Sequence, residues 1–144
     1  MISARYVHTN VIARDWRTLA RFYEDVFGCV VVPPERDLSG EWLERGTGVS
    51  GAHIRGVHLR LPGHGDTGPT IEIFSYDDVV AQSAPLANRT GYGHVAFLVG
   101  DVAAAMAEVV AHGGKPGEIV SHDKLEFVYV RDPEDNLIEL QRWR

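Results

Sequence analysis

His8–Gly28 reads HTNVIARDWRTLARFYEDVFG, and His94–Gly114 reads HVAFLVGDVAAAMAEVVAHGG. In each stretch a histidine enters a short apolar run, an aspartate follows, and a helical pattern runs on to a glycine. The three marks keep one offset of 86 residues: His8 to His94, Asp15 to Asp101, Gly28 to Gly114. A constant offset at three kinds of position argues for a duplicated unit. Asp15 and Asp101 suit helix N-caps, because a carboxylate accepts the free amide hydrogens of the first turn. Leu19, Phe22, Tyr23 and Val26 carry the apolar spacing of the first helix. Val102, Met106, Val109 and Val110 carry that of the second. Each unit then ends in a strand with one carboxylate among apolar neighbours, TIEIF around Glu72 and NLIEL around Glu139.

Outward from these stretches each half reads β-α-β-β-β. In the first half, strands are expected over 6–12, 29–32, 54–61 and 70–74, with Pro33 and Pro34 ending the second. The segment from Glu35 to Gly51 is polar and irregular, and it accounts for most of the extra length of the first half. An insertion at one place in a duplicated fold often builds a wall of a binding site. PGHGDTGP, over 62–69, is a turn. In the second half, strands are expected over 94–99, 119–121, 125–130 and 137–141, with RDPEDN as a turn. The expected organisation is one α+β domain, 1–144, in which two βαβββ modules (1–76 and 92–144) form curved mixed sheets around a metal-binding cleft. A connector, 77–91, has room for one short helical turn.

The chain has 144 residues, enough for one domain or two small halves sharing a core. A hydrophobic fraction of 44% excludes a disordered chain. The net charge of −6, without a basic block, argues against nucleic acid and anionic membranes as partners. One cysteine, Cys29, excludes an internal disulfide and a cysteine-based zinc site; beside three valines it reads as a buried strand thiol. MISARYVHTN has no signal-peptide apolar stretch, and no run approaches membrane-spanning length, so a cytoplasmic protein is expected.

The period of two in a strand assigns faces. Ile71 and Ile73 oppose Glu72; Ile138 and Leu140 oppose Glu139. Val95, Phe97 and Val99 oppose His94, and Val7 and Val11 oppose His8. A helix covering the apolar set of each sheet leaves His8, Glu72, His94 and Glu139 on the helix-free face. Two carboxylates buried without a cation would be costly, so the four matched residues are expected to bind a metal. His53, His58, His64 and His112 lack this symmetry; His112 at a helix end suits a charge–dipole contact. His122, in a loop of the shorter half, is placed to reach the cleft. Trp42, in the insertion, is a candidate for lining it.

With these residues in view the chain resembles the vicinal oxygen chelate superfamily, which includes glyoxalase I, methylmalonyl-CoA epimerase, extradiol dioxygenases, and fosfomycin and bleomycin resistance proteins. The resemblance covers nearly the whole chain and rests on HTNVIARDWRTLARFYEDVFG, GPTIEIF, GYGHVAFLVGDV and RDPEDNLIELQRW. It implies paired βαβββ modules and metal ligands at His8, Glu72, His94 and Glu139. It also implies a homodimer in which ligands from two chains commonly complete one site. The His-Glu-His-Glu set resembles glyoxalase I. Epimerases usually carry glutamine at the position of Glu72, and extradiol dioxygenases use two histidines and one carboxylate on iron. Two glutathione-contacting positions of glyoxalase I are changed, to Ile12 and Tyr76. Phe74 and Tyr76 suggest an aromatic wall instead.

Two imidazoles and two carboxylates suit one divalent metal: zinc, nickel, cobalt, manganese or iron. The expected chemistry is polarisation of a small carbonyl substrate, or of its thiol or thioester adduct, with an enediolate formed as a carbon proton leaves. Glu139 is the favoured base and Glu72 the second candidate. An iron dioxygenase is the redox variant. A metal-free module that sequesters a small ligand is the non-catalytic alternative.

Overall fold

Asp15 does what its position promises. In the computed structural model, which describes residues 1–81, 83 and 85–144, its carboxylate accepts from the amides of Arg17 and Thr18. Helix α1 (Trp16–Phe27) follows, and Gly28 ends it in the left-handed conformation at φ 68°. Asp101 likewise accepts from the Ala104 amide and opens α3 (Val102–Ala111). The second helix is shorter. The left-handed residue after it is Gly113, and Gly114, expected to mark its end, instead lets two backbones meet: a Cβ there would lie 2.5 Å from the Arg131 carbonyl oxygen.

The chain divides into two units, Met1–Val80 and Ala81–Arg144. The first holds β1 (His8–Ile12), α1, β2 (Val30–Ser39), α2 (Glu41–Thr47), β3 (His53–Arg60) and β4 (Thr70–Tyr76). Its four-stranded sheet has the order β1-β4-β3-β2, with β1 parallel to β4 and the other pairs antiparallel. Helix α1 packs on β3 and β4, where Val57, Leu59, Ile71 and Ile73 are buried beside Leu19, Phe22 and Tyr23. The second unit holds β5 (Val95–Leu98), α3, β6 (Val120–His122), β7 (Leu125–Arg131) and β8 (Leu137–Trp143), in the order β5-β8-β7-β6. There α3 packs on β7 and β8, over buried Val128, Val130, Ile138 and Leu140. The fold is α+β, with two mixed four-stranded sheets, each bearing a helix.

Three local expectations are corrected. Strand β2 does not stop at Pro33 and Pro34; it runs on to Ser39 with a register shift between Val32 and Arg36. It is an edge strand, where a proline's missing N–H costs no ladder bond, and a bulge absorbs the extra residues. The stretch 35–51 is therefore not irregular throughout: it completes β2 and forms α2, whose Leu43 is buried with Ala52, Ile54 and Phe74. His122 ends strand β6 and is not in a loop. Among the described residues of 77–91 there is no helix; Gln82 and Ala84, also within the connector, lie outside the described residues.

Cys29 is buried, and desolvation, aided by the charge of Glu24, pushes its thiol up to about 12. A carboxylate-capped turn closes the second unit: Asp132, fully buried, accepts from the Glu134 and Asn136 amides, both at 2.9 Å. No helix among the described residues is long and apolar enough to cross a membrane.

Candidate metal-binding half-sites

Residues paired across a ladder project to the same side of a sheet. In the first unit, Asn10 pairs with Glu72 and Glu72 with His58, while His58 pairs with Val32. These residues form one row on the face opposite α1. His8 lies on that face one step along, paired with Thr70. The Glu72 side chain is 11% exposed and meets three partners. His8 Nε2 lies 3.4 Å from Oε2, His58 Nε2 lies 3.1 Å from Oε1, and the Asn10 amide donates to Oε2 at 3.4 Å. The His58 ring stands edge-on to Phe74 at 5.7 Å between centroids. Burial lowers the proton affinity of His58; the Glu72 charge opposes this, and the charges of Arg36 and His8 add to it.

The second unit repeats half of this arrangement. Glu139 pairs with Ala96 on one side and Tyr129 on the other, on the face opposite α3. His94 Nε2 lies 3.1 Å from Glu139 Oε2, and the His94 ring sits 5.0 Å from that of Tyr129. The Glu139 side chain, 15% exposed, has His94 as its one ion-pair or hydrogen-bond partner among the described residues.

The four residues chosen from the sequence thus form two pairs, His8 with Glu72 and His94 with Glu139, each within one unit. Their donor chemistry, imidazole nitrogen with carboxylate oxygen, suits a divalent metal of borderline character. Among the described residues no group of three or more His, Cys, Asp or Glu side chains is disposed to hold a metal ion. The four donors therefore come as pairs, each one half of the expected set.

The other candidates stand further off. Tyr76 shares the face of Glu72, four residues along β4, and packs with Leu38 against the cluster of Leu43, Ile54 and Phe74. Helix α2 thereby covers one end of that face. Its Trp42 is 62% exposed while the adjacent Leu43 points inward. His122 shares the face of Glu139 in a row with Leu125 and Trp143. That row is four residues from Glu139 along β8, about 13 Å at strand spacing. The His122 side chain is 83% exposed, with Asp123 at 3.5 Å.

His58 and Asn10 were missed from sequence. His58 carried the signal used for Glu72: Val57 and Leu59 flank it as Ile71 and Ile73 flank Glu72, whereas Asn10, between Thr9 and Val11, did not. The demand for a matched histidine in the second half discarded His58, because its counterpart is Tyr129.

The comparisons bear on the family and the fold. Residues 5–140 match the model of the Glyoxalase/Bleomycin resistance protein/Dioxygenase superfamily. No curated protein matches the sequence significantly. Among solved structures, a glyoxalase family protein from Bacillus cereus has a TM-score of 0.86 at 22% identity, over 99% of this chain and 96% of that one. The genomically encoded fosfomycin resistance protein FosX from Listeria monocytogenes has a TM-score of 0.65 at 18% identity, over 100% and 96%. A second structure of FosX, complexed with Mn(II) and sulfate, has a TM-score of 0.57 at the same identity, over 100% and 95%. At these identities the structures establish a common fold, and the family match over almost the whole length places this chain in the glyoxalase/bleomycin resistance protein/dioxygenase superfamily.

Proposed function

We propose that the chain is a metal-dependent enzyme of the glyoxalase I type. It would act as a lyase or isomerase on a small carbonyl compound or its thiol or thioester adduct. The observation that carries this reading is the matched pairing of His8 with Glu72 and His94 with Glu139, at 3.4 and 3.1 Å, each on the helix-free face of its own sheet. Together the pairs supply two imidazoles and two carboxylates for one zinc, nickel, cobalt, manganese or iron ion. The pairs are drawn from one chain or from two chains of a homodimer. The Mn(II) complex of FosX supports a divalent ion in this fold.

When bound, the metal supplies Lewis-acid polarisation of a substrate carbonyl. The chain's own residues divide the remaining work. Glu72 has His8, His58 and Asn10 around it and serves as the fixed ligand. Glu139, held by His94 alone, is freer to leave its place and take a proton from carbon. Trp42, Tyr76 and His122 are the substrate contacts of this reading, with Tyr76 backed by the α2 cluster.

The test is elemental mass spectrometry on protein purified without chelator, followed by assays on dicarbonyl, hemithioacetal and acyl-CoA substrates. About one equivalent of metal per subunit is expected. Glu139→Gln is expected to retain the metal and lose turnover. No metal after reconstitution would overturn the enzyme reading. It would favour the alternative of a metal-free ligand-binding protein. Iron with oxygen consumption would favour the dioxygenase variant.

A further inference from the structure

The ligand-bearing face of the first sheet has an unusual charge for this chain. The protein carries 20 acidic and 14 basic residues other than histidine. Strand positions on the face of Glu72 follow from the registers: His8, Asn10 and Ile12 on β1; Thr70, Glu72, Phe74 and Tyr76 on β4; Ile54, Gly56, His58 and Arg60 on β3; Val30, Val32, Arg36 and Leu38 on β2. Among these positions Glu72 is the only acid and Arg36 and Arg60 are the basic residues, Arg60 meeting Asp66. The acids of the same strands, Asp37 and Glu35, are placed otherwise: Asp37 pairs with Arg55 on the α1 side, and Glu35 binds Arg17.

Arg36 is the informative residue. The register shift after Val32 carries it to a position opposite Gly56, so it projects on the same side as His58. A bulge is a device that re-aims a side chain. The next position in its row has no side chain, and the Phe74 ring closes over it: a Cβ on Gly56 would lie 2.4 Å from Phe74 Cδ1. Arg17, Arg55, Arg60, Lys115 and Arg144 each meet a carboxylate. Arg36, half-buried, donates to the main-chain carbonyl of Pro34, and among the described residues no carboxylate is in ion-pairing reach of it. His58 follows Gly56 on the same face of β3, so its row adjoins that of Arg36. A guanidinium has five N–H donors in a fixed fork, so most of the donors of Arg36 face no protein acceptor.

We infer that Arg36, with His58 beside it, forms an oxyanion-binding subsite on the face of Glu72, and that the substrate carries a carboxylate, phosphonate or phosphate group there. This deepens the proposed function, on whose face it lies, by naming the substrate class. The fork of Arg36 matches two oxygens of such a group. The equivalent row of the second sheet has Phe127 opposite Val120, so the subsite belongs to the first unit alone.

The experiment titrates inorganic phosphate and, separately, acetate into chelator-treated protein, followed by amide chemical shifts. Wild type, Arg36→Gln and Arg36→Lys are compared, with Arg21→Gln on the exposed side of α1 as a control of equal net charge. Saturable shifts are expected at Arg36, Gly56 and His58. Arg36→Gln should weaken binding at least about tenfold, the scale of one charge-assisted hydrogen bond. Arg36→Lys should weaken it less, and Arg21→Gln should leave it unchanged. The tighter probe tells a tetrahedral from a planar anion. Binding in Arg36→Gln within twofold of wild type, or shifts confined to other residues, overturns the subsite. If Arg36→Gln fails to fold, Arg36→Lys with unaltered affinity for both probes overturns it. Metal loading of the same variants is measured in parallel. Arg36-dependent anion binding in a protein that takes no metal sustains the subsite while sinking the metal-enzyme reading. Full metal loading with Arg36-independent anion binding does the reverse.

Discussion

Replacing each candidate glutamate by glutamine, in metal-free protein, tests whether the two half-sites differ as their partners indicate. The two carboxylates are buried almost equally, with side chains 11% and 15% exposed, so desolvation does not separate them. Their surroundings do. Both oxygens of Glu72 face nitrogen: Oε1 faces His58, and Oε2 faces His8 and Asn10. A glutamine at this place must turn its NH2 toward one of those groups. Toward Oε2 it opposes the Asn10 amide; toward Oε1 it forces His58 into the tautomer that accepts. At Glu139 the single contact, His94 to Oε2, is kept by the glutamine carbonyl, and the NH2 takes the less crowded side. One frustrated or lost hydrogen bond to a charged acceptor is worth about 1–3 kcal/mol, and a neutral replacement of a bond that is kept costs below about 1 kcal/mol. Glu72→Gln is therefore expected to cost the larger amount and Glu139→Gln the smaller. Urea unfolding in the presence of chelator, with fluorescence and circular dichroism required to coincide, reads both. Equal losses, or a larger loss at Glu139, would refute the reasoning and remove the ground for assigning the fixed ligand to Glu72 and the movable base to Glu139.

Gly56→Ala places a Cβ 2.0 Å from the Ile73 carbonyl oxygen, so β4 must shift, and a loss of about 2–3 kcal/mol is expected by chemical denaturation; unchanged stability would mean that β3 and β4 have room the structure denies them. Asp15→Ala should cost about 1–2 kcal/mol and Asp101→Ala about 0.5–1 kcal/mol, because Asp15 holds the Arg17 and Thr18 amides and Asp101 the Ala104 amide; thermal unfolding with the order reversed would contradict this. His53 sits between Asp37 at 2.6 Å and Asp77 at 2.9 Å, and these contacts, Asp37 first, raise its proton affinity, while His53 holds the Asp77 carboxyl below its usual range. The His53 contribution is complete below about pH 6.5 and fades as pH rises through its raised value, whereas that of Asp77 is complete above about pH 4 and fades as pH falls through its lowered value. His53→Gln should therefore flatten the alkaline fall of the urea midpoint; a pH profile identical to wild type would show that the network contributes nothing.

The parts of the site legible in the sequence were those that the duplication wrote twice. The histidine and aspartate of each module keep the 86-residue offset, and alternation along TIEIF and NLIEL turned both glutamates away from the helices, as the buried Ile71, Ile73, Ile138 and Leu140 bear out. What escaped belongs to one module only. Strand β2 passes through Pro33 and Pro34 because it lies at an edge, and edge position is a property of strand order that no local pattern carries. The helix α2 was hidden in a polar, glycine-containing stretch whose single buried side chain, Leu43, gives no period. Arg36 could not be placed on any face without knowing that the bulge adds residues between Val32 and itself.

Those unshared residues also carry the chemical difference between the modules. At matched positions the first sheet has Asn10, His58 and Arg36 where the second has Ala96, Tyr129 and Val120. Duplication alone would give two equivalent carboxylates, and equivalent groups cannot be tuned apart to act as ligand and base. Hydrogen-bond donors gathered around Glu72 hold its carboxylate in place, while the methyl of Ala96 and the ring of Tyr129 leave Glu139 with one partner and less to hold it. In the proposed reaction Oε1 of Glu139, with no ion-pair or hydrogen-bond partner among the described residues, is the oxygen open to a proton. In the row of Arg36 the first face has Ile12, Phe74, Gly56 and Arg36 and the second has Leu98, Gln141, Phe127 and Val120, so the one charge of that row belongs to the first face.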